Sequence, residues 1–120
     1  MKYIFLVFIL IITIALYLWP DFHPEKLIVK EHHWYIDLIM HGGYFFTAMF
    51  ALLNLRIKQT VFLQGLTFFL ISVALELLQY FSYNRSVDIV DVGCNFVGII
   101  GALGLYLFIE RFKIKNELSK

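Results

Sequence analysis

Residues 76–98 read ELLQYFSYNRSVDIVDVGCNFVG, a stretch in which charged and amide side chains interrupt sequence that is otherwise hydrophobic enough to lie in a membrane. Its polar members are Glu76, Gln79, Arg85, Asp88, Asp91 and Asn95. An ionisable side chain at membrane depth costs roughly 2.5 to 3.5 kcal/mol on insertion scales, so it marks a functional site or a required partner. The stretch therefore locates the candidate site of the protein.

The composition of the 120-residue chain is that of an integral membrane protein. Hydrophobic residues make up 61% of it and charged residues 16%, whereas about one quarter of a soluble domain is charged. The apolar residues form four long runs, at about 3–19, 36–55, 61–80 and 88–109, as bilayer-spanning helices do. We predict an all-α membrane protein with one domain, residues 1–120, folded as an antiparallel bundle of four transmembrane helices.

Several classes of protein and site are disfavoured. A net charge of +1, with no dense basic patch outside the C-terminal tail, argues against binding to nucleic acid. Cys94 is the only cysteine and cannot form an internal disulfide. The adjacent His32 and His33 would not share a helical face, which disfavours a metal site formed by the two. They are interpreted as solvated loop residues. No motif identifies a cofactor, and no metal ligands are assigned.

The distribution of basic residues predicts the orientation. With four spans, one side of the membrane carries Lys2, Arg56, Lys58, Arg111, Lys113, Lys115 and Lys120, and the other carries Lys26, Lys30 and Arg85. The side richer in Lys and Arg is normally cytoplasmic. Both termini, including the basic tail 110–120, are therefore predicted to be cytoplasmic.

Polar and small residues recur every three or four positions on three of the predicted helices, so each set shares one helical face. The sets are Asp37, His41, Tyr44, Ala48 and Ala51; Ser72, Glu76, Gln79 and Tyr83; and Asp88, Asp91, Asn95, Gly98 and Ala102. The predicted topology brings their polar ends together at the outer end of the bundle, with Arg85 above them. The predicted ligand-binding residues are Asp37, His41, Glu76, Gln79, Arg85, Asp88, Asp91 and Asn95.

Four carboxylates opposed by one arginine leave this predicted pocket with an excess of negative charge. The excess is relieved if one carboxyl is protonated, if His41 is charged, or if a cation binds. On the fourth predicted helix, the small residues Gly98 and Ala102 allow a neighbouring backbone to approach closely.

The spacing Glu76-x-x-Gln79, then Arg85-x-x-Asp88-x-x-Asp91-x-x-x-Asn95-x-x-Gly98, preceded by Asp37-x-x-x-His41, resembles the VanZ-like family of small bacterial membrane proteins. The resemblance covers roughly residues 35 to 108. It implies a multi-pass protein of the bacterial cytoplasmic (inner) membrane, in a family named for a member linked to glycopeptide resistance. It implies no established reaction.

Four functions are compatible with this pattern. The first is a cell-envelope protein whose outer pocket binds a polar ligand, such as a lipid head group or a lipid-linked precursor, with a link to teicoplanin-type resistance or envelope homeostasis. The second is an enzyme acting on an envelope lipid, with Glu76 or His41 as acid–base catalyst and the aspartates orienting substrate or holding a divalent ion. The third is a proton-relay or transport component, which would require a homo-oligomer. The fourth is a structural protein in which polar groups only join helices.

Overall fold

The architecture is described by a computed structural model, which covers residues 1–18, 35, 38–83 and 89–120. These residues form four helices and no strand, so the all-α prediction is confirmed for the part of the chain described. The helices are α1 (Lys2–Leu18), α2 (a π-helical turn, Leu38–Gly42, continued by the α-helix Gly43–Asn54), α3 (Val61–Tyr83) and α4 (Ile89–Leu118).

The last helix extends beyond its predicted apolar span, which was placed at 88–109. Helix α4 continues through the polar tail as far as Leu118. The tail is rich in residues with high helix propensity, and Lys113 Nζ lies 3.2 Å from Glu110 Oε1, one turn away. Hydrophobicity predicts where a helix can lie in a membrane but does not require that the helix end there.

Helices α2 and α4 approach each other at backbone distance. A Cβ atom built on Gly98 would lie 2.2 Å from the carbonyl oxygen of Gly42, and one built on Gly42 would lie 3.1 Å from the carbonyl oxygen of Cys94. Ala102, one turn beyond Gly98, is fully buried. The small residues of α4 therefore provide the close packing expected between membrane helices.

Helix α3 runs antiparallel to α4 and packs against it through a small residue and aromatic rings. Near the start of α3, a Cβ atom on Gly65 would lie 2.8 Å from Cδ1 of Leu103, toward the end of α4. Further along, the rings of Phe69 and Phe96 have centroids 5.3 Å apart. This arrangement brings the C-terminal half of α3 beside the first turns of α4.

Helix α1 is joined to the bundle through a hydroxyl pair. Thr13 is fully buried, and its Oγ1 donates a hydrogen bond to the carbonyl oxygen of Ile9 at 2.8 Å. The hydroxyl of Tyr44 on α2 donates in turn to Thr13 Oγ1. Much of the remaining surface of α1 is exposed, including Tyr3 and Phe8. The described part of this helix therefore combines a polar contact to α2 with a largely apolar outer surface.

The connection between α2 and α3 is short, and it contains a residue with positive φ and a helix N-cap. Arg56 follows the end of α2 with φ of 50°, in the left-handed region common at helix C-termini. Thr60 precedes α3, and its Oγ1 accepts a hydrogen bond from the backbone N–H of Leu63 at 3.3 Å. The second helix thus ends, and the third begins, within a few residues.

Helices α3 and α4 are long and apolar enough to cross a membrane. Val61–Phe81 and Ile89–Leu118 each contain an apolar stretch of 18 residues, and the mean hydropathies of these stretches are 2.1 and 2.0. Only 28% of each is buried inside the protein, so neither resembles the mostly buried core helix of a soluble domain. The apolar helices Lys2–Ala15 and Leu38–Asn54 are shorter than these two.

Candidate functional site

Three ionisable side chains from three helices meet at one end of the bundle. They are His41 from the π-helical turn of α2, Glu76 from α3 and Asp91 from the first turn of α4. Each offers a nitrogen or oxygen atom that lies within 4.8 Å of the other two. His41 Nε2 and Asp91 Oδ1 are 3.7 Å apart. We call these three residues the acid–histidine cluster.

The position of His41 follows from the backbone beside it. His41 is in the π-helical turn, and the next residue, Gly42, packs against Cys94 and Gly98 of α4. Because Gly42 has no side chain, the two backbones come close enough for an imidazole on one helix to approach a carboxylate on the other. Single π-turns are rare and frequently occur at functional sites.

The cluster is largely shielded from solvent. Glu76 is 3% exposed, and the side chains of His41 and Asp91 are 22% and 17% exposed. Asn95, one turn after Asp91, is fully buried. A small ligand could therefore reach His41 and Asp91 from one side, while Glu76 lies beneath them.

The structure describes five of the eight residues that the sequence assigned to the site. It brings His41, Glu76 and Asp91 together, buries Asn95 on the same face of α4 as Asp91, and leaves Gln79 half-buried on α3. The other three predicted site residues, Asp37, Arg85 and Asp88, lie outside the described residues.

Two structural features of this region were not predicted from the sequence. One is the π-helical turn Leu38–Gly42, for which the adjacent glycines Gly42 and Gly43 are the available signal. The other is the hydrogen bond between Thr13 and Tyr44, which requires knowing how α1 packs against α2. Both position the helix that carries His41.

The arrangement provides three chemical capabilities. An imidazole near two carboxylates can accept or donate a proton. A protonated His41 would form an ion pair with Asp91 at the observed distance. The neutral imidazole and the two carboxylates are also ligands that proteins use for divalent metals.

A separate cavity of about 290 Å³ lies toward the opposite end of α3. Its walls are mainly apolar and include Leu6, Leu52 and Phe68. Gln64 also lines it, and the buried Oε1 of that residue has no hydrogen-bond partner among the described residues. Because none of the predicted site residues lines this cavity, it is distinct from the acid–histidine cluster.

Comparison with known proteins agrees with the sequence pattern. The model of the family described as VanZ/LLP1 matches residues 3–110, which is most of the chain. The chain belongs to the VanZ/LLP1 family. No curated protein and no solved structure matches it.

Membership of the VanZ/LLP1 family helps to interpret the long apolar helices. Together with the two helices long enough to span a bilayer, it indicates a membrane protein. It is also consistent with a cell-envelope protein linked to glycopeptide resistance. Neither result assigns a ligand to the acid–histidine cluster.

Proposed function

We propose that this VanZ/LLP1 protein is a multi-pass protein of the bacterial cytoplasmic membrane whose acid–histidine cluster binds a polar ligand. The ligand class is the head group of an envelope lipid or of a lipid-linked precursor. Such a molecule places its polar part at the end of the helix bundle while its chains contact the exposed apolar surfaces of α3 and α4. A role in teicoplanin-type resistance or envelope homeostasis follows from this class of ligand.

The observation that carries the proposal is the burial of Glu76 beside His41 and Asp91. Glu76 is 3% exposed, and charged groups in such surroundings are costly unless they perform a task or are compensated. Neutral residues could join helices at lower cost. His41 and Asp91 remain partly exposed, which gives a ligand a route to the cluster.

The proposal includes a topology of four spans with both termini in the cytoplasm. It rests on the seven Lys and Arg residues near the termini and the α2–α3 connection against three on the other side. In that topology the acid–histidine cluster faces outward. A cysteine-labelling reagent that cannot cross the membrane should therefore fail to label Lys120→Cys, in a Cys94→Ala background, until the cells are opened.

An enzymatic role is the second candidate, and the proximity of His41 to Asp91 and Glu76 favours it. The carboxylates would orient the imidazole, which would act as the general base. An enzyme and a binding protein differ in turnover. Purified protein incubated with labelled envelope lipids should yield a modified product only if it is an enzyme.

The decisive experiment replaces Glu76 with glutamine, a nearly isosteric neutral residue. Cells carrying Glu76→Gln are scored for membrane abundance of the protein and for growth under envelope stresses that include teicoplanin. We expect normal abundance and a lost phenotype, because the charge serves the ligand. The matched control is Glu117→Gln, the same change on the exposed tail of α4, which should retain the phenotype.

Two results would count against a ligand. If Glu76→Gln leaves abundance and growth unchanged, the carboxylate is dispensable and the cluster only joins helices. If the variant is lost from the membrane, Asp91→Asn, at a more exposed position, provides the second test. Normal abundance and a normal phenotype in that variant would also refute the proposal.

A further inference from the structure

We propose that His41, Glu76 and Asp91 form a binding site for one divalent transition-metal ion. The inference rests on the proposed function, because it names a component of the same polar site. The three donors come from three helices, and all lie within 4.8 Å of one another.

The distances fit a shared ion after small side-chain movements. Ligand atoms that bind one metal at about 2.0 to 2.2 Å lie roughly 3 to 4 Å from each other. The separation of 3.7 Å between His41 Nε2 and Asp91 Oδ1 is within that range. All the separations are at most 4.8 Å, and we expect rotation of a carboxylate to bring the three donors onto one ion.

The local charge also favours a cation. Glu76 and Asp91 are both acidic, and their carboxylate oxygens lie within 4.8 Å of each other, so the two groups together attract a cation. A divalent ion would balance two carboxylates while a neutral imidazole supplies the third ligand. The burial of Glu76 strengthens this attraction, because little water screens it.

The donor set indicates the class of metal. Mg²⁺ and Ca²⁺ prefer ligands that are all oxygen, whereas an imidazole favours Zn²⁺ and its neighbours in the first transition row. One imidazole with two carboxylates therefore suits Zn²⁺ or Mn²⁺. The partial exposure of His41 and Asp91 leaves a coordination position for an external oxygen, such as that of a phosphate in a head group.

The test uses the full chain, purified in detergent without a histidine tag and treated with a chelator. Equilibrium dialysis against Zn²⁺ or Mn²⁺, followed by elemental analysis, gives the stoichiometry and the affinity. We expect about one ion per chain, with His41→Asn and Asp91→Asn each weakening binding at least about tenfold, because loss of a direct ligand costs no less than loss of an outer-shell partner. His33→Asn is the matched control and should bind as the wild type does.

Three results would overturn the metal site: no binding of either ion by folded wild-type protein, binding unaffected by both ligand variants, or loss of binding in His33→Asn. If the ligand variants fail to fold, X-ray absorption of Zn²⁺-loaded wild type decides the question. The expected spectrum shows one imidazole with oxygen ligands, and a sulfur ligand or several imidazoles would refute the assignment.

The outcome is separable from that of the proposed function. Wild-type protein that binds no metal, together with a lost phenotype in Glu76→Gln, would reject the metal and retain the polar-ligand site. Stoichiometric metal binding with an unchanged phenotype in Glu76→Gln would retain the metal and reject the functional role.

Discussion

The close approach of α2 and α4 can be tested by adding one methyl group to Gly98. In Gly98→Ala the new Cβ would lie 2.2 Å from the carbonyl oxygen of Gly42 and 3.0 Å from the backbone nitrogen of Phe46. Ordinary contacts of this kind begin at 3.4 Å. Both neighbouring atoms belong to the backbone, so no side-chain rotation can relieve the overlap, and the helices must separate by roughly 1 Å.

The expected magnitude combines two opposing effects. Overpacking of a well-packed interior costs about 1 to 3 kcal/mol and occasionally more, and a rigid overlap such as this belongs at the upper end. Alanine in place of glycine in a helix returns up to about 1 kcal/mol through its higher propensity. We therefore expect Gly98→Ala to lower the free energy of unfolding by about 2 kcal/mol.

Gly104 provides the matched control, because a Cβ built there meets nothing within 4 Å and the residue lies on the same helix. Gly104→Ala should leave the free energy of unfolding unchanged or raise it by up to about 1 kcal/mol. Reversible unfolding in mixed micelles, with increasing dodecyl sulfate, measures both variants. Equal stabilities for Gly98→Ala and Gly104→Ala would refute the backbone contact and the position of His41 that follows from it.

Three further predictions concern the connections between helices, each measured by the same unfolding assay. In a double-mutant cycle, Thr13→Val and Tyr44→Phe should show a coupling of about 0.6 to 1.7 kcal/mol, as interhelical hydrogen bonds in membranes do; additive effects would mean that the hydroxyls do not interact. Arg56→Gly should stabilise the protein by about 1 kcal/mol, since glycine accepts a positive φ without strain, while Lys58→Gly should not. Thr60→Ala should cost about 1 kcal/mol and Thr60→Ser almost nothing, because serine retains the capping hydroxyl; equal losses would exclude the cap.

The sequence predicted the helices and the meeting of polar faces because both follow from periodicity. The spacing of Glu76 on one helix, and of Asp91 and Asn95 on another, already places each set on one face. Burial of these residues follows once the faces turn inward. The small residues Gly98 and Ala102 likewise identified the face of α4 that contacts another backbone.

What periodicity could not predict was the partner of each group. It placed His41 on one helical face with Asp37, which lies outside the described residues, and the structure brings His41 to Asp91 on another helix. That contact depends on the π-helical turn and on how near the backbones pass at Gly42. The spacing of residues along a single helix predicts neither the π-helical turn nor the distance between the two backbones.

The neighbouring positions of the glycine contact and the charged cluster bear on whether that cluster is merely structural. Gly42 and Gly98 already bring α2 and α4 together through backbone packing, and His41 is adjacent in sequence to that contact. Helices held by close packing do not also need a costly carboxylate such as Glu76 to join them. The packing instead sets the distance across which His41 faces Asp91, so the glycines are best understood as positioning residues for the site. On this argument Gly98→Ala should weaken Zn²⁺ binding, while Gly104→Ala should not; equal affinities in the two variants would separate the helix contact from the site.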